Sequence, residues 1–313
     1  MTVKRKHLLG LEELEPHEIL SFLESAKVFR EVLDRPIKKV APLRGLTVVN
    51  LFYEPSTRTR LSFELAEKRL SADTVSFTTA TSSVKKGETL KDTVRNIEAM
   101  KIDMIVIRHQ SAGVPYFLTR FSDACIVNAG DGQHEHPTQG LLDLYTIWTK
   151  YKKLAGLRVV LMGDAKHSRV IRSNIWGLTK LGASVAVCGP PTLLPVEMEK
   201  MGVEVYTDID KALDGADVVN VMRIQLERQT SGLLPSLREY TTLFGITRDR
   251  LKRLNKNYTI MHPGPINRGI ELADDVADSV NSVILEQVTN GVAVRMAVLY
   301  LLAASEGKNV KQD

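Results

Sequence analysis

Residues 46–66 read Leu46-Thr-Val-Val-Asn-Leu-Phe-Tyr53, then Glu54, Pro55-Ser-Thr-Arg-Thr-Arg60 and Leu61-Ser-Phe-Glu-Leu-Ala66. The first run is apolar and β-branched, as strands are; the last carries apolar residues at helical spacing. A strand that passes directly into a helix is half of a β/α unit. The polar hexapeptide then falls at the helix start, where free backbone N–H groups and the positive end of the macrodipole favour anions. Hydroxyls and guanidinium groups at that place make a phosphate cradle. For the hexapeptide alone, an ordinary N-cap followed by two solvated arginines is an equal reading. Neither Gly-x-x-x-x-Gly-Lys nor Gly-x-Gly-x-x-Gly occurs in the chain, which argues against the common nucleotide and dinucleotide folds and for a small phosphorylated ligand.

The same alternation continues outward. Strand-like runs are Leu46–Tyr53, Thr74–Phe77, Met104–Arg108, Ala124–Asn128, Arg158–Met162, Ser184–Cys188, Val203–Tyr206, Val218–Met222 and Tyr258–Met261. Helical patterns fill the gaps at Pro16–Leu33, Thr57–Leu70, Leu90–Met100, Thr138–Tyr151, Ser168–Leu181 and Arg248–Leu254. A last amphipathic run, about Asn281 to Ser305, places Val288, Val292, Met296, Leu299 and Ala303 on one face, with an interruption expected at Asn290-Gly291. The fold class is therefore α/β: two domains, each a parallel sheet flanked by helices. The 313 residues suit two domains. The polar segment Lys150–Gly156 is the candidate hinge, giving domains over 1–150 and 151–285.

Lys and Arg exceed Asp and Glu by five, but they are scattered among acids, as in Glu67-Lys68-Arg69. With only 6% aromatic residues, a nucleic-acid surface is not expected. The basic start, Met1 to His7, is not followed by a signal-type apolar stretch, and no later run is expected to reach the roughly 20 apolar residues that span a bilayer. A soluble, cytoplasmic protein with no membrane partner is the expectation. Cys125 and Cys188, each inside a strand-like run, are expected as buried reduced thiols.

Ligands of open α/β sheets bind beyond the carboxyl ends of strands. Six polar loops follow strands here: Glu54–Arg60, Arg108-His109-Gln110, Asn128–Gln139, Gly163–Arg169, Arg223-Ile-Gln225 and His262-Pro-Gly-Pro265. If Arg58, Lys86, Arg108, Arg169 and Arg223 converge, they call for strongly anionic ligands, for which a dianionic phosphate plus a dicarboxylate would serve. Arginine's planar fork suits both. Structural pairing of single arginines with Glu54, Glu88 or Asp164 is the competing reading. His134-Glu135-His136 has too few ligands for a zinc site, and no metal or cofactor is expected. Pro137 as first helical residue puts His136 at a helix cap, where the dipole favours a neutral imidazole that donates to a carbonyl oxygen. The segment Thr78–Gly87, rich in hydroxyls with two lysines, suits either a loop closing on an anion or a solvated surface loop.

Taken together, Phe52–Arg60, Lys85-Lys-Gly-Glu-Thr89, Arg108-His109, His136-Pro-Thr-Gln139 with Leu142-Asp143, and His262-Pro-Gly-Pro265 closely resemble the transcarbamoylases, in order over nearly the whole chain. The aspartate branch is the better match, because ornithine enzymes place a cysteine where His262-Pro263 stands, and Lys85-Lys86 and Arg223-Ile-Gln225 look like the aspartate enzymes. The resemblance implies a first domain that binds carbamoyl phosphate and is completed by the last helix, about 286–313, and a second that binds L-aspartate. The product would be N-carbamoyl-L-aspartate, made early in pyrimidine biosynthesis. It also implies a homotrimer with active sites between subunits, Ser82 and Lys86 reaching in from a neighbour. Carried over by position, Ser56, Thr57, Arg58 and Thr59 hold phosphate. Thr59, Arg108 and His136 donate to the carbonyl oxygen. Gln139 and the backbone carbonyls of Gly264 and Pro265 orient the carbamoyl nitrogen, and Lys86, Arg169, Arg223 and Gln225 bind aspartate. Arg58, Thr59, Arg108 and His136 form the catalytic set. Gly264 departs from the bulkier apolar residue common in relatives, a change that a backbone contact survives but that bears on loop stiffness.

Three alternatives are weighed against this. One is a transcarbamoylase acting on another amine, such as ornithine or an acylated ornithine; a cationic side chain on that amine would call for acids in the second-substrate loops, where this chain has Lys86, Arg169 and Arg223. A non-catalytic binding subunit would show gaps in the donor set, and a nucleic-acid binder a continuous basic face. Whether regulatory chains or a dihydroorotase join the trimer stays open.

Overall fold

The computed structural model describes residues 3–78, 88–225, 232–234, 236–254 and 258–307. The chain divides into two compact units, Met1–Leu142 with Thr289–Asp313, and Asp143–Val288.

The first unit runs α1 (Pro16–Asp34), β1 (Thr47–Phe52), α2 (Thr57–Arg69), β2 (Asp73–Thr78), α3 (Leu90–Ala99), β3 (Met104–His109), α4 (Val114–Leu118) and β4 (Cys125–Asp131), then enters α5 (Pro137–Tyr151). Its four strands are parallel in the order β2-β1-β3-β4. β4 is buried along its whole length and β1 at all but its first residue, so neither alternates between buried and exposed positions, as expected of strands covered on both faces. Val49, Leu51, Ile105, Ile107 and Ile126 form one core face with Val94 of α3.

The second unit continues β5 (Arg158–Met162), α6 (Arg169–Lys180), β6 (Ser184–Cys188), β7 (Glu204–Tyr206), α7 (Ile209–Leu213), β8 (Val218–Val221), α8 (Leu237–Phe244), α9 (Arg248–Arg253), β9 (Thr259–Met261), α10 (Asp274–Ala277) and the start of α11 (Ile284–Ser305). Its five strands are parallel in the order β7-β6-β5-β8-β9. The α/β expectation of two parallel sheets is met, and each strand expected from the sequence forms.

Three expectations are corrected. α11 runs unbroken through Asn290-Gly291: a Cβ at Gly291 would lie 2.8 Å from Arg295 Nη1 and 3.2 Å from Leu142 Cδ2, so the glycine serves close packing rather than a break. Val288, expected on the apolar face, is 58% exposed, while Met296, Leu299 and Ala303 are buried. α11 is also long and apolar enough to cross a bilayer, contrary to expectation, but most of that stretch is buried within the protein, as in the core helix of a globular domain. Within the first unit it braces α2: Arg295 donates to Ser62 Oγ at 3.1 Å and its guanidinium lies 5.0 Å from the Phe63 ring centre. Four short helices, α4, α7, α8 and α10, carry too few residues to establish a period. Both cysteines are buried and free, and burial pushes the Cys188 thiol up to about 12.

Candidate active site

Parallel pairing places the carboxyl ends of β1, β3 and β4 on one edge of the first sheet, with Phe52 beside Arg108 and His109 beside Asp131. Strand order reverses between β1 and β3, since β2 lies on one side of β1 and β3 on the other. Such a switch point is where open sheets bind ligands. The loop after β1 supplies Ser56, the N-cap of α2, in extended conformation and with no side-chain capping bond. Thr57 and Arg58 are exposed in the first helical turn and Thr59 is buried. No acid occupies that turn. The helix start thus presents N–H groups, hydroxyls and a guanidinium to an anion.

Arg108, at the end of β3, is held from two sides. Nη2 donates to Glu54 Oε1 at 3.1 Å and Nη1 to the Ala129 carbonyl at 3.3 Å. Of the acid partners weighed from the sequence, Glu54 is one that is realised. Beyond β4, the His136 carbonyl accepts from the Gln139 and Gly140 N–H groups at 2.9 and 3.0 Å, which makes His136 the cap of α5, as expected from Pro137. His136 and Gln139 are both buried. Nearby, Asp131 accepts at 3.1 Å from His134 Nδ1 and raises that imidazole's pKa, whereas burial lowers that of His109.

The second sheet repeats the logic. Its order reverses between β5 and β8, and the loops after those strands carry Arg169, Arg223 and Gln225. Gly163 at the end of β5 has φ +114°, and a Cβ there would lie 2.8 Å from the Met222 carbonyl oxygen, so the two loops leave the sheet in backbone contact. Asp164 accepts from His167 Nδ1 at 2.8 Å and from its N–H at 3.2 Å, shaping the turn into α6. Ser168 caps that helix, accepting from the Ile171 N–H, and Arg169 is its buried first residue. Gln225 Nε2 donates to the His167 carbonyl at 3.3 Å, which ties the β8 loop to the β5 loop. Gly264 and Pro265 follow β9, the neighbour of β8.

Each unit thus gathers its share of the expected residues at one sheet edge: Ser56, Thr57, Arg58, Thr59, Arg108, His136 and Gln139 in the first, Arg169, Arg223, Gln225, Gly264 and Pro265 in the second. Ser82 and Lys86, with most of the loop Thr78–Gly87, lie outside the described residues. One ligand atom each from Glu12, His134 and Glu135 lies within 4.8 Å of the others. There the Glu135 carboxylate already accepts the Leu11 and Glu12 N–H groups at 2.8 and 3.1 Å, so its role is to anchor the N-terminal segment. Sequence reasoning does not single out Glu271 and Gln287, which meet His262, or Asn267, whose N–H Glu271 accepts. The only signal for Glu271 is an acid inside the apolar stretch Ile270-Glu-Leu-Ala273.

Two family models match the chain: the carbamoyl-phosphate-binding domain of aspartate/ornithine carbamoyltransferase over residues 6–149, and the aspartate/ornithine-binding domain over 155–302. The chain is 59% identical over 310 residues to the aspartate carbamoyltransferase catalytic subunit of Carboxydothermus hydrogenoformans, covering 98% of this chain and 99% of that one. Among solved structures, the catalytic subunit of M. jannaschii aspartate transcarbamoylase superposes with a TM-score of 0.83 at 36% identity, covering 97% and 99% of the two chains. The Trypanosoma cruzi enzyme in complex with carbamoyl phosphate and aspartate gives 0.84 at 30% identity, covering 94% and 95%.

Proposed function

Since the chain belongs to the aspartate/ornithine carbamoyltransferase family, we propose that the residues gathered at its two sheet edges carry out its reaction, the transfer of the carbamoyl group of carbamoyl phosphate to the amine of L-aspartate. The products are N-carbamoyl-L-aspartate and phosphate. The observation that carries the residue assignment is the placement of the α2 N-terminus and Arg108 at the switch point of the first sheet.

Ser56, Thr57, Arg58 and Thr59 bind the phosphate group, using the hydroxyls, the guanidinium and the first-turn N–H groups. Thr59, Arg108 and His136 donate to the carbonyl oxygen of the carbamoyl group. Gln139 and the carbonyls of Gly264 and Pro265 orient its nitrogen. Arg169, Arg223 and Gln225 bind the aspartate carboxylates, for which a forked cation is the matched partner. The neutral amine attacks the carbamoyl carbon and a tetrahedral oxyanion forms. Each donor aimed at that oxygen contributes on the order of 3 kcal/mol to lowering the barrier. The carbon–oxygen bond to phosphate then breaks, and the leaving phosphate accepts the amine's proton. Alignment of two anions that repel each other in water is the larger part of the protein's contribution.

The same reading makes the working form a homotrimer in which Ser82 and Lys86 of a neighbouring copy join the site. The product enters pyrimidine biosynthesis, and the compartment is the cytoplasm, a reading supported by two buried free thiols. A colorimetric assay for carbamoyl-aspartate, with ornithine run in parallel, tests the reaction. Product from aspartate alone is expected; carbamoylation of ornithine in preference would overturn the assignment of Arg169 and Arg223 to carboxylate binding.

A further inference from the structure

The loop that carries Gly264 and Pro265 is organised by a buried histidine. His262 is 1% exposed and Glu271 is completely buried. The Gly264 N–H points at His262 Nδ1, 2.8 Å away. A backbone N–H can only donate, so Nδ1 is an unprotonated acceptor and the ring proton resides on Nε2. That nitrogen lies 3.2 Å from Glu271 Oε1, so a carboxylate faces the remaining N–H, the usual way a histidine tautomer is fixed. A proton on Nδ1 would set two donors against each other at hydrogen-bond distance.

Both ends of the loop are tied to this pair. Glu271 also accepts the Asn267 N–H, and the Asn267 side chain donates to the Ile224 carbonyl at 3.3 Å, within Arg223-Ile-Gln225. At the other end the His262 N–H donates to Gln287 Oε1 at 2.9 Å, and Gln287 Nε2 donates to Asp143 Oδ1 at 2.8 Å. Asp143 Oδ2 in turn accepts from Asn174 and Asn220 at 2.8 and 3.2 Å. The histidine backbone is thus pinned to the core, leaving its ring to set the peptide two residues on. Gly264 has φ +70°, in the left-handed region that suits glycine. The small residue thus lets the chain turn back so that its N–H meets the ring.

We propose that His262 is a positioning residue for carbamoyl transfer: held as the Nε2–H tautomer by Glu271, it accepts the Gly264 N–H through Nδ1 and so fixes the orientation of the Gly264 and Pro265 carbonyls. The proposal rests on the assignment of those two carbonyls to the carbamoyl nitrogen made above. It does not place His262 on the substrate. Its effect is to hold acceptors in place before the ligand arrives, so that little ordering remains to be done on binding.

The test uses the two amide replacements that each mimic one ring nitrogen. In His262→Asn the side-chain oxygen can take the place of Nδ1 and accept the Gly264 N–H; in His262→Gln the longer amide reaches toward Glu271 and leaves Gly264 without its acceptor. With both substrates varied in the full chain, His262→Gln is expected to raise the KM for carbamoyl phosphate about tenfold, the equivalent of one lost hydrogen bond. The KM for aspartate should change far less, and His262→Asn should recover most of the loss. Equal losses in both variants, or none in either, would overturn the proposal. Long-range proton–nitrogen NMR of the unsubstituted protein keeps it falsifiable should the variants fail to fold: a His262 ring protonated on Nδ1 refutes it. Calorimetry of carbamoyl phosphate on the unsubstituted chain separates the two layers. Normal binding there with indifferent variants removes only the role of His262, whereas absent binding removes the site assignment and this proposal with it.

Discussion

Arg108 Nη2 lies 3.1 Å from Glu54 Oε1, an ion pair in which both side chains are largely buried, 11% and 18% exposed. The carboxylate does two things. It offsets a guanidinium placed beside the cationic α2 N-terminus, and it fixes the fork's direction. Removing it frees Arg108 to turn toward any anion, including the phosphate, and leaves a partly desolvated cation without that partner. Glu54→Gln is therefore expected to lower kcat by about ten- to a hundredfold, with a smaller change in the KM for either substrate. Steady-state kinetics check this; an unchanged kcat would mean that the orientation of Arg108 does not depend on Glu54.

Arg58 is exposed at the start of α2 and adds nothing to the core, so Arg58→Ala should fold normally. Because it is assigned to the phosphate, on which negative charge grows as the carbon–oxygen bond breaks, turnover should fall by several orders of magnitude, on the order of 10³-fold or more. Near-normal turnover would remove the phosphate assignment. Arg223→Ala is expected to behave differently. Calorimetry should show carbamoyl phosphate binding retained and aspartate affinity lost, and a joint loss of both would contradict the division of labour.

Gly163→Ala tests how the second sheet presents its loops. At φ +114° an alanine is strained, and its Cβ would meet the Met222 carbonyl oxygen at 2.8 Å. Strain and clash together should cost about 2–4 kcal/mol of stability. The neighbouring Arg223 should be displaced, so the KM for aspartate should rise in whatever protein remains folded. Denaturant midpoints and kinetics measure the two effects, and a stable variant with ordinary aspartate kinetics would show that the β5 and β8 loops can part without consequence.

What was legible in the sequence was what local chemistry decides. The strands declare themselves because Val, Ile and Leu fill positions buried on both faces, as in Met104-Ile-Val-Ile107. The proposed anion site after β1 declares itself because cap, hydroxyls and arginines are adjacent in the chain. Gly291 misled, since a glycine inside a periodic run reads as a break, whereas its reason is the nearness of Leu142 and Arg295. The His262–Glu271 pair stayed hidden for a similar cause: a buried acid in an apolar stretch signals a partner without naming it, and the chain path that joins them is a property of the fold. Asp143 meets Asn220 across 77 residues, a distance no local pattern spans.

Glu67 gives a prediction in which the sign of the pH dependence is decided by burial. It lies on the inner face of α2, fully buried, with Asn50 Nδ2 donating to its Oε2 at 2.9 Å. Burial lifts its pKa from the ordinary 4.5 to about 7; the bond from Asn50, a contact with Thr74 and the charge of Lys68 oppose this lift, and Glu64 adds to it. The folded protein therefore holds this proton over a range where the unfolded chain has released it. Stability from this group is complete below about pH 4.5, declines as pH rises, and is lost once pH passes about 7. The full loss is about 3 kcal/mol, taking 1.36 kcal/mol for each unit of displacement. Glu67→Gln keeps an acceptor for Asn50 and cannot ionise. It should match the unsubstituted protein below about pH 4.5 and exceed it by up to about 3 kcal/mol at pH 8. Urea unfolding followed by circular dichroism at several pH values would show the two curves diverging upward. Parallel curves would mean that Glu67 is ionised throughout and that its charge is compensated by water or by movement of α2, and then the helix that carries the proposed anion site would be less firmly seated than its burial indicates.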